Sequence, residues 1–436
     1  MSKKVKSYIF ALCLLTSSCY LFEKEDEGGE PYYKAKIAWD TGLVSNDYQS
    51  QMLDGDSVFF YERPPGYNTV NIYALTRLDV KTGSFIWRSN RIFSSALHCP
   101  PLAIGGYIYV FLYPNRILCF NRETGALTAQ AQVWIDNKSL TWHDNVIEYQ
   151  GNIYLGLRKG GVGYFIRFPA DLIDKKGDPD TVQEIPPQVL WEPVTGGYAF
   201  AKPVVHNNII YTSTMSWAAN FYITNPADKK PVELAGFDAD NGKMIFHRAF
   251  GGPEDIAANA IFPEEGDRKT PLFIHGDVLY YLGLSIAAWD LNTGEMLYRH
   301  IFPKGTPDHL LYGSETKQAV FYKGRIYFTS SEGSSLGDFS NLHCIDAATG
   351  ELVWNVMPKG SESTQTNPII ANDKLYISLH YGFRVYEPEN GKLLGVDKSF
   401  CGTGFGSNIL YNDYMICIRV DSDGLNGRLV AVDLSK

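Results

Sequence analysis

The chain has 436 residues, a formal net charge of −9 at neutral pH and 14% aromatic residues. Hydrophobic residues make up 45% and charged residues 20%, which excludes a disordered chain and supports one large packed domain. The acidic excess argues against nucleic acid or an anionic lipid surface as a partner held by bulk charge.

The first element is a targeting segment. Lys3, Lys4 and Lys6 precede an apolar run at 8–15 that is too short to span a bilayer. Leu15-Thr-Ser-Ser-Cys19 follows, and small residues before a Cys resemble a bacterial lipoprotein cleavage site. Residues 1–18 are therefore expected to be a signal peptide, with Cys19 as the lipidated first residue. Thr16 departs from the aliphatic residue usual at that position. Removal of residues 1–18 takes away three Lys and no acid, which moves the charge from −9 to −12. The lipid would hold the protein to the membrane by burying methylenes. Residues 19–34 carry Glu23, Glu25, Asp26, Glu27 and Glu30 and form an acidic, flexible tether. The acidic stretch fits either a surface-export signal or a solvated linker.

Residues 35–436 form a single domain that repeats itself. The phrase Leu78-Asp-Val-Lys-Thr-Gly-Ser-Phe-Ile-Trp87 returns at 120–125, 237–242, 289–294, 345–350 and 386–391. Its Asp or Asn starts a turn through its own side chain. Its Gly takes a positive φ and closes a short hairpin with a bulge. An earlier phrase in each repeat pairs an apolar strand, a Gly, Asn or Asp turn and a second strand. That second strand is marked by Phe59, Tyr109, Tyr154, Tyr211, Tyr280, Tyr327, Tyr376 and Ile416. Four strands recurring about every 50 residues predict an all-β, eight-bladed β-propeller of four-stranded antiparallel blades.

The third repeat departs from the pattern. Phe168-Pro-Ala-Asp-Leu-Ile-Asp174 replaces the turn, and Val189-Leu-Trp191 serves as the outer strand. Seven blades stand as the alternative there. The eighth repeat ends at Leu434 without an outer strand, while Ala35-Lys-Ile-Ala-Trp39 is an orphan with the outer-strand pattern. Joining the two closes the ring and leaves no frayed edge.

Beyond Cys13 and Cys19, the cysteines are Cys99, Cys119, Cys344, Cys401 and Cys417, an odd number without zinc spacing. Their apolar contexts favour buried packing, with a Cys401–Cys417 disulfide as the alternative in an oxidising compartment. The nine His residues are dispersed, with His206 and His275 at turns. Gly402-Thr-Gly-Phe-Gly406 precedes a strand and so does not fit a phosphate cradle. Glu264-Glu-Gly-Asp-Arg268 fits a solvated loop better than a cation site. No catalytic residue, cofactor-binding residue or metal ligand is expected.

Within a repeat, the first-to-second and third-to-fourth turns are short and share one face. Second-to-third loops and crossovers are long, as at 212–233 and 299–317, and share the other. Function concentrates on long loops carried by a rigid scaffold. Trp142, Trp217, Phe221, Tyr222 and Tyr312 are the candidate partner-binding residues, with packing over a neighbouring blade as the alternative for each. Arg63, Arg158, Lys159, Arg268 and Lys269 are cations that could frame a site on that face.

The paired phrase, an apolar strand with Ile-Tyr followed by Asp-x-x-Thr-Gly-x-x-x-Trp, resembles the quinoprotein-type (PQQ-like) propeller repeat over nearly all of residues 35–436. By that resemblance Trp39, Trp87, Trp191 and Trp354 dock one blade on the next. Phe246 and Tyr298 substitute conservatively, whereas Ala129 and Gly395 do not. The family contains quinone-dependent dehydrogenases and non-enzymatic lipoproteins similar to BamB, a scaffold of outer-membrane β-barrel assembly. The chain has no adjacent Cys pair, no Cys-x-x-Cys-His and no large insertion for a quinone pocket. The resemblance thus implies a cofactor-free scaffold of the outer membrane, facing the periplasm or the cell surface. It would act as a monomer within a complex of envelope proteins such as the barrel-assembly machinery. The rival expectations are a cell-surface glycan- or ligand-binding lipoprotein and a small quinone-dependent dehydrogenase.

Overall fold

The computed structural model describes residues 30–41, 51–62, 64, 72–94, 99–135, 141–159, 162–193, 200–214, 231–250, 272–282, 285–301, 319–331, 340–357, 366–379, 382–400, 408–420 and 427–435. The recurring turn is built by side-chain chemistry. Asp79 Oδ1 accepts the backbone N–H groups of Lys81 and Thr82 at 3.0 and 2.9 Å. Asn121, Asp238, Asp290 and Asp346 do the same in their own turns. Gly83, with φ of 69°, then donates its N–H to the Asp79 carbonyl at 2.8 Å. The ladder between third and fourth strands is bulged in every blade, including blade eight, whose two strands are not joined by a hairpin.

The strands form eight sheets. Blade one comprises Met52–Asp54, Ser57–Glu62, Ile72–Asp79 and Phe85–Arg88, and blade two Leu102–Ile104, Tyr107–Leu112, Arg116–Asn121 and Leu127–Val133. Blade three, the irregular repeat, comprises Thr141–Tyr149, Asn152–Lys159, Val162–Pro169 and Gln188–Trp191. Blades four to seven end on the outer strands Met244–Phe250, Met296–Ile301, Leu352–Val356 and Leu393–Asp397. Blade eight takes Ile409–Tyr411, Tyr414–Val420 and Gly427–Asp433 from the end of the chain and Lys36–Asp40 from its start. The register Lys36↔Asp433 to Asp40↔Val430 closes the ring. The fold is thus an eight-bladed, all-β propeller, and the third repeat is a blade.

The core is divided among the blade junctions. Eight apolar clusters each draw on two adjacent blades. One joins Tyr154 and Phe165 of blade three to Ile210 and Phe237 of blade four. Both short turns of a blade lie on one face and are tied together there. The Val80 N–H donates to the Asp56 carbonyl at 2.9 Å, and the same bond recurs as Arg122 to Gly106, Ala170 to Gly151, Ala239 to Asn208, Leu291 to Asp277, Ala347 to Gly324 and Leu434 to Asp413. In blade seven the donor position is Pro388, which has no N–H to give.

The carbonyl of that donor residue is also where the preceding blade docks. Trp39 Nε1 donates to Val80 O at 2.9 Å, Trp87 Nε1 to Arg122 O at 3.0 Å and Trp354 Nε1 to Pro388 O at 3.0 Å. Tyr298 Oη reaches Ala347 O at 3.0 Å, and Asn372 Nδ2 reaches Leu434 O at 2.8 Å. Each indole lies flat on the turn glycine of the next blade. A Cβ at Gly83, Gly125 or Gly391 would come within 2.6, 2.5 or 2.8 Å of Trp39, Trp87 or Trp354. The glycine therefore serves both the positive φ and the close approach of the ring. At the junction of blades three and four, Gln188 holds the register position opposite Arg167. Arg167 Nη1 donates to Ala239 O at 2.5 Å. Trp191 lies past the bulge in the same interblade layer, against Phe200, Phe237 and His247.

Two outer strands carry a small residue at the tryptophan position, and each gains an extra parallel partner. On blade two, beside Ala129, Val182–Ile185 pairs in parallel with residues 130–133. On blade seven, beside Gly395, Tyr32 bridges Val396 in parallel. The Tyr33 N–H donates to Val396 O and the Val396 N–H to Pro31 O, both at 2.9 Å. Tyr33 fills the space over Gly395, its Cβ 2.5 Å from where a side chain would begin. Glu30 pairs with the buried Arg384 at 3.1 Å. The end of the acidic segment thus lies along blade seven before the chain enters blade eight.

Candidate functional site

Of the residues expected on the long-loop face, Trp217, Phe221, Tyr222 and Tyr312 lie outside the described residues, as do Arg63, Arg268, Lys269, Cys19 and Cys401. Trp142 lies on the first strand of blade three, in register with Leu157. Arg158 and Lys159 end the second strand of the same blade. Cys99, Cys119, Cys344 and Cys417 are buried thiols without a disulfide. Burial pushes the Cys119 thiol up to about 12 and the Cys344 thiol to about 11. His206 Nε2 meets Asp277 Oδ1 at 2.9 Å across the turns of blades four and five. Among the described residues no group of three His, Cys, Asp or Glu is arranged to hold a metal ion.

Near the ring axis, the first strands of neighbouring blades touch one another. Asn367 and Asn408, just before the first strands of blades seven and eight, bind each other reciprocally. Asn367 Nδ2 donates to Asn408 O at 2.9 Å, and Asn408 Nδ2 donates to Asn367 O at 2.7 Å. Lys202 precedes the first strand of blade four. Burial lowers its pKa, and Cys99 of blade two acts on it electrostatically.

The short-turn face carries a cleft of about 390 Å³ between blades two and three, within the roughly 300–1,000 Å³ usual for small-molecule sites. One wall is the Gly105-Gly106 turn with Tyr107 and Tyr109, and the other is the Gln150-Gly151 turn with Asn152. The floor is the segment that replaces the regular hairpin of blade three, from Pro169 through the 3-10 turn Ala170–Leu172 to Lys175. A Cβ added at Gly105, Gly106 or Gly151 would meet nothing within 4 Å, so the turns offer bare backbone to open space.

Lys175 organises this cleft. Its Nζ donates to Ala170 O, the carbonyl that Trp39 or Trp87 would engage at another junction. Tyr109 Oη donates to the same oxygen at 3.3 Å. The ammonium stands 5.8 and 5.7 Å from the ring centres of Tyr107 and Tyr109, where the negative ring faces attract it. Burial lowers the Lys175 pKa, while Cys119, Asp171 and Asp174 act in the opposite direction. Lys175 was not among the residues singled out from sequence. The available signal was Ala129, a missing docking aromatic followed one blade later by an irregular turn.

No family model matches the sequence, and no curated protein matches it. Solved structures match the fold across nearly the whole chain. BamB from Moraxella catarrhalis superposes with a TM-score of 0.55 at 11% identity, over 91% of this chain and 98% of that one. A europium-containing methanol dehydrogenase gives 0.62 at 12%, over 93% and 95%. The quinohemoprotein alcohol dehydrogenase of Comamonas testosteroni gives 0.63 at 12%, over 92% and 77%. The protein therefore shares the fold of these structures, an eight-bladed propeller. That architecture is shared by BamB and by quinoprotein dehydrogenases, so fold alone leaves the choice between enzyme and scaffold open.

Proposed function

We propose that the protein is a non-enzymatic scaffold, lipid-anchored through Cys19 at the bacterial outer membrane, that binds envelope proteins on its long-loop face. The observation that carries this reading is the way the chain's start is used. The Lys36–Asp40 strand completes blade eight and the segment before it is tied to blade seven. A lipid at Cys19 would therefore hold a closed ring by its rim, leaving both faces free for partners. The likeness to BamB over almost the whole of both chains supports the same reading, and by that resemblance the partners include the barrel-assembly machinery. The dehydrogenase neighbours supply the competing reading, a quinone-dependent oxidation.

The test is crosslinking in intact cells, capture of the tagged protein and mass spectrometry. Recovery of a barrel-assembly subunit, lost when Trp217, Phe221 and Tyr222 are replaced together by Ala, is the expected result. Saturable binding of a quinone cofactor with Ca²⁺, accompanied by alcohol oxidation, would overturn it. Protease treatment of intact cells then places the ring, since a periplasm-facing protein is protected and a surface one is not.

A further inference from the structure

The junction of blades two and three differs chemically from those closed by tryptophan. An indole has one N–H, and at Trp39, Trp87 and Trp354 the next blade's carbonyl takes it. An ammonium has three. At Lys175 one N–H goes to Ala170 O, and two donors remain on a half-buried cation that lines an open cleft. No carboxylate among the described residues lies within ion-pair distance of it. Asp171 and Asp174 of its own segment act on it only from farther away, and both are exposed, where water and salt screen them.

The rim has the opposite character. Gln150 Nε2 is committed to Asn208 Oδ1 at 3.0 Å, and Asn152 Nδ2 to Gln150 O at 3.2 Å. Gln150, Asn152 and Asp171 all line the cleft, and each carries a side-chain oxygen able to accept a hydrogen bond. A cation on the floor with acceptors around the mouth calls for a ligand that brings one anionic group and several donors. Tyr107 adds a partly exposed aromatic wall, which suits the C–H face of a pyranose ring and not a bare inorganic ion.

We infer that the cleft between blades two and three binds a sugar carrying a carboxylate, with Lys175 on the carboxylate, Tyr107 against the ring and the rim acceptors on the hydroxyls. The inference does not depend on the scaffold reading, because the cleft is on the face opposite the long loops.

The test is calorimetric titration of the purified full chain with D-glucuronate, D-glucose and acetate as separate probes. Glucuronate should bind at least about tenfold more tightly than glucose, which lacks the charge, and than acetate, which lacks the ring and hydroxyls. Lys175→Met should weaken glucuronate at least about tenfold. Because Lys175 also docks blade two on blade three, Gly106→Leu is the second variant. It adds a side chain on the cleft lining at a position where a Cβ meets nothing within 4 Å. It should abolish binding while circular dichroism and melting stay those of the parent chain. The inference fails if glucuronate does not bind, if glucose or acetate binds as tightly, or if Gly106→Leu leaves the affinity unchanged.

Discussion

Removing the indole of Trp39 should open the ring at the point where the two ends of the chain meet. The side chain is 8% exposed, lies on Gly83 of blade one and donates to Val80 O at 2.9 Å. Truncating a buried aromatic of this size costs about 3–5 kcal/mol. Trp39→Phe keeps a ring on Gly83 and loses the hydrogen bond, which costs about 1 kcal/mol. Equilibrium urea unfolding should therefore rank the parent above Trp39→Phe, and Trp39→Phe well above Trp39→Ala. Trp354→Ala supplies the control, because it removes the same contact between blades six and seven, away from the chain ends. Under native conditions a protease should trim the chain before Gln51 in Trp39→Ala and not in Trp354→Ala. A Trp39→Ala protein within about 1 kcal/mol of the parent, a Phe variant as damaged as the Ala variant, or equal trimming in Trp354→Ala would each refute the reasoning.

Gly125→Ala should cost clearly more than Gly55→Ala by urea midpoint. Both have positive φ, but only at Gly125 does the new Cβ strike an indole, at 2.5 Å; the shared backbone strain is about 1–2 kcal/mol. Gly395→Val should expel Tyr33 from blade seven, and amide exchange at Tyr33 and Val396 should accelerate while the blade-eight ladder stays protected. The Lys36 hydrogen bond, followed by those from Ser435, depresses the Asp433 pKa. A depressed carboxylate stabilises the fold above its unfolded pKa and loses that contribution as pH falls through the folded value. The stability difference between the parent and Lys36→Met should thus be present at neutral pH and vanish in strong acid, as melting curves across that range would show. Alkylation at mildly alkaline pH followed by peptide mapping should leave Cys119, Cys344 and Cys417 unlabelled until denaturant is added, since burial raises all three thiols.

The ring was legible because its turns are local chemistry. Asp or Asn, three residues and then a Gly four positions on are enough to specify the hairpin, and an orphan strand ending in Trp39 was enough to place the closure. The docking was legible only where tryptophan performs it. The same carbonyl is reached elsewhere by Tyr298, Arg167, Lys175 and Asn372. These side chains come from different places in the blade, a strand for Tyr298 and Arg167, a turn for Asn372 and the irregular segment for Lys175, so no single repeat position contains them. Ala129 and Gly395 were visible as gaps. What fills them was not, because Lys175 arrives from the next blade and Tyr33 from the far end of the chain. Trp191 keeps the look of the repeat, while the longer excursion before it moves the bulge and gives its register position to Gln188.

The partnership of Lys36 with Asp433 joins residues 397 positions apart, and it orders events in time. A polypeptide emerges N-terminus first at roughly 5–20 residues per second, so this strand waits on the order of half a minute for its partner. Seven blades can pair within themselves before then, but the eighth cannot exist until the Gly427–Asp433 strand has been made. A product cut short anywhere upstream keeps an unsatisfied strand at one end and an uncovered blade at the other, the open edges that invite aggregation or degradation. The joint between Lys36–Asp40 and Gly427–Asp433 therefore acts as a check on the ring itself, admitting to the stable population only chains that carry both strands.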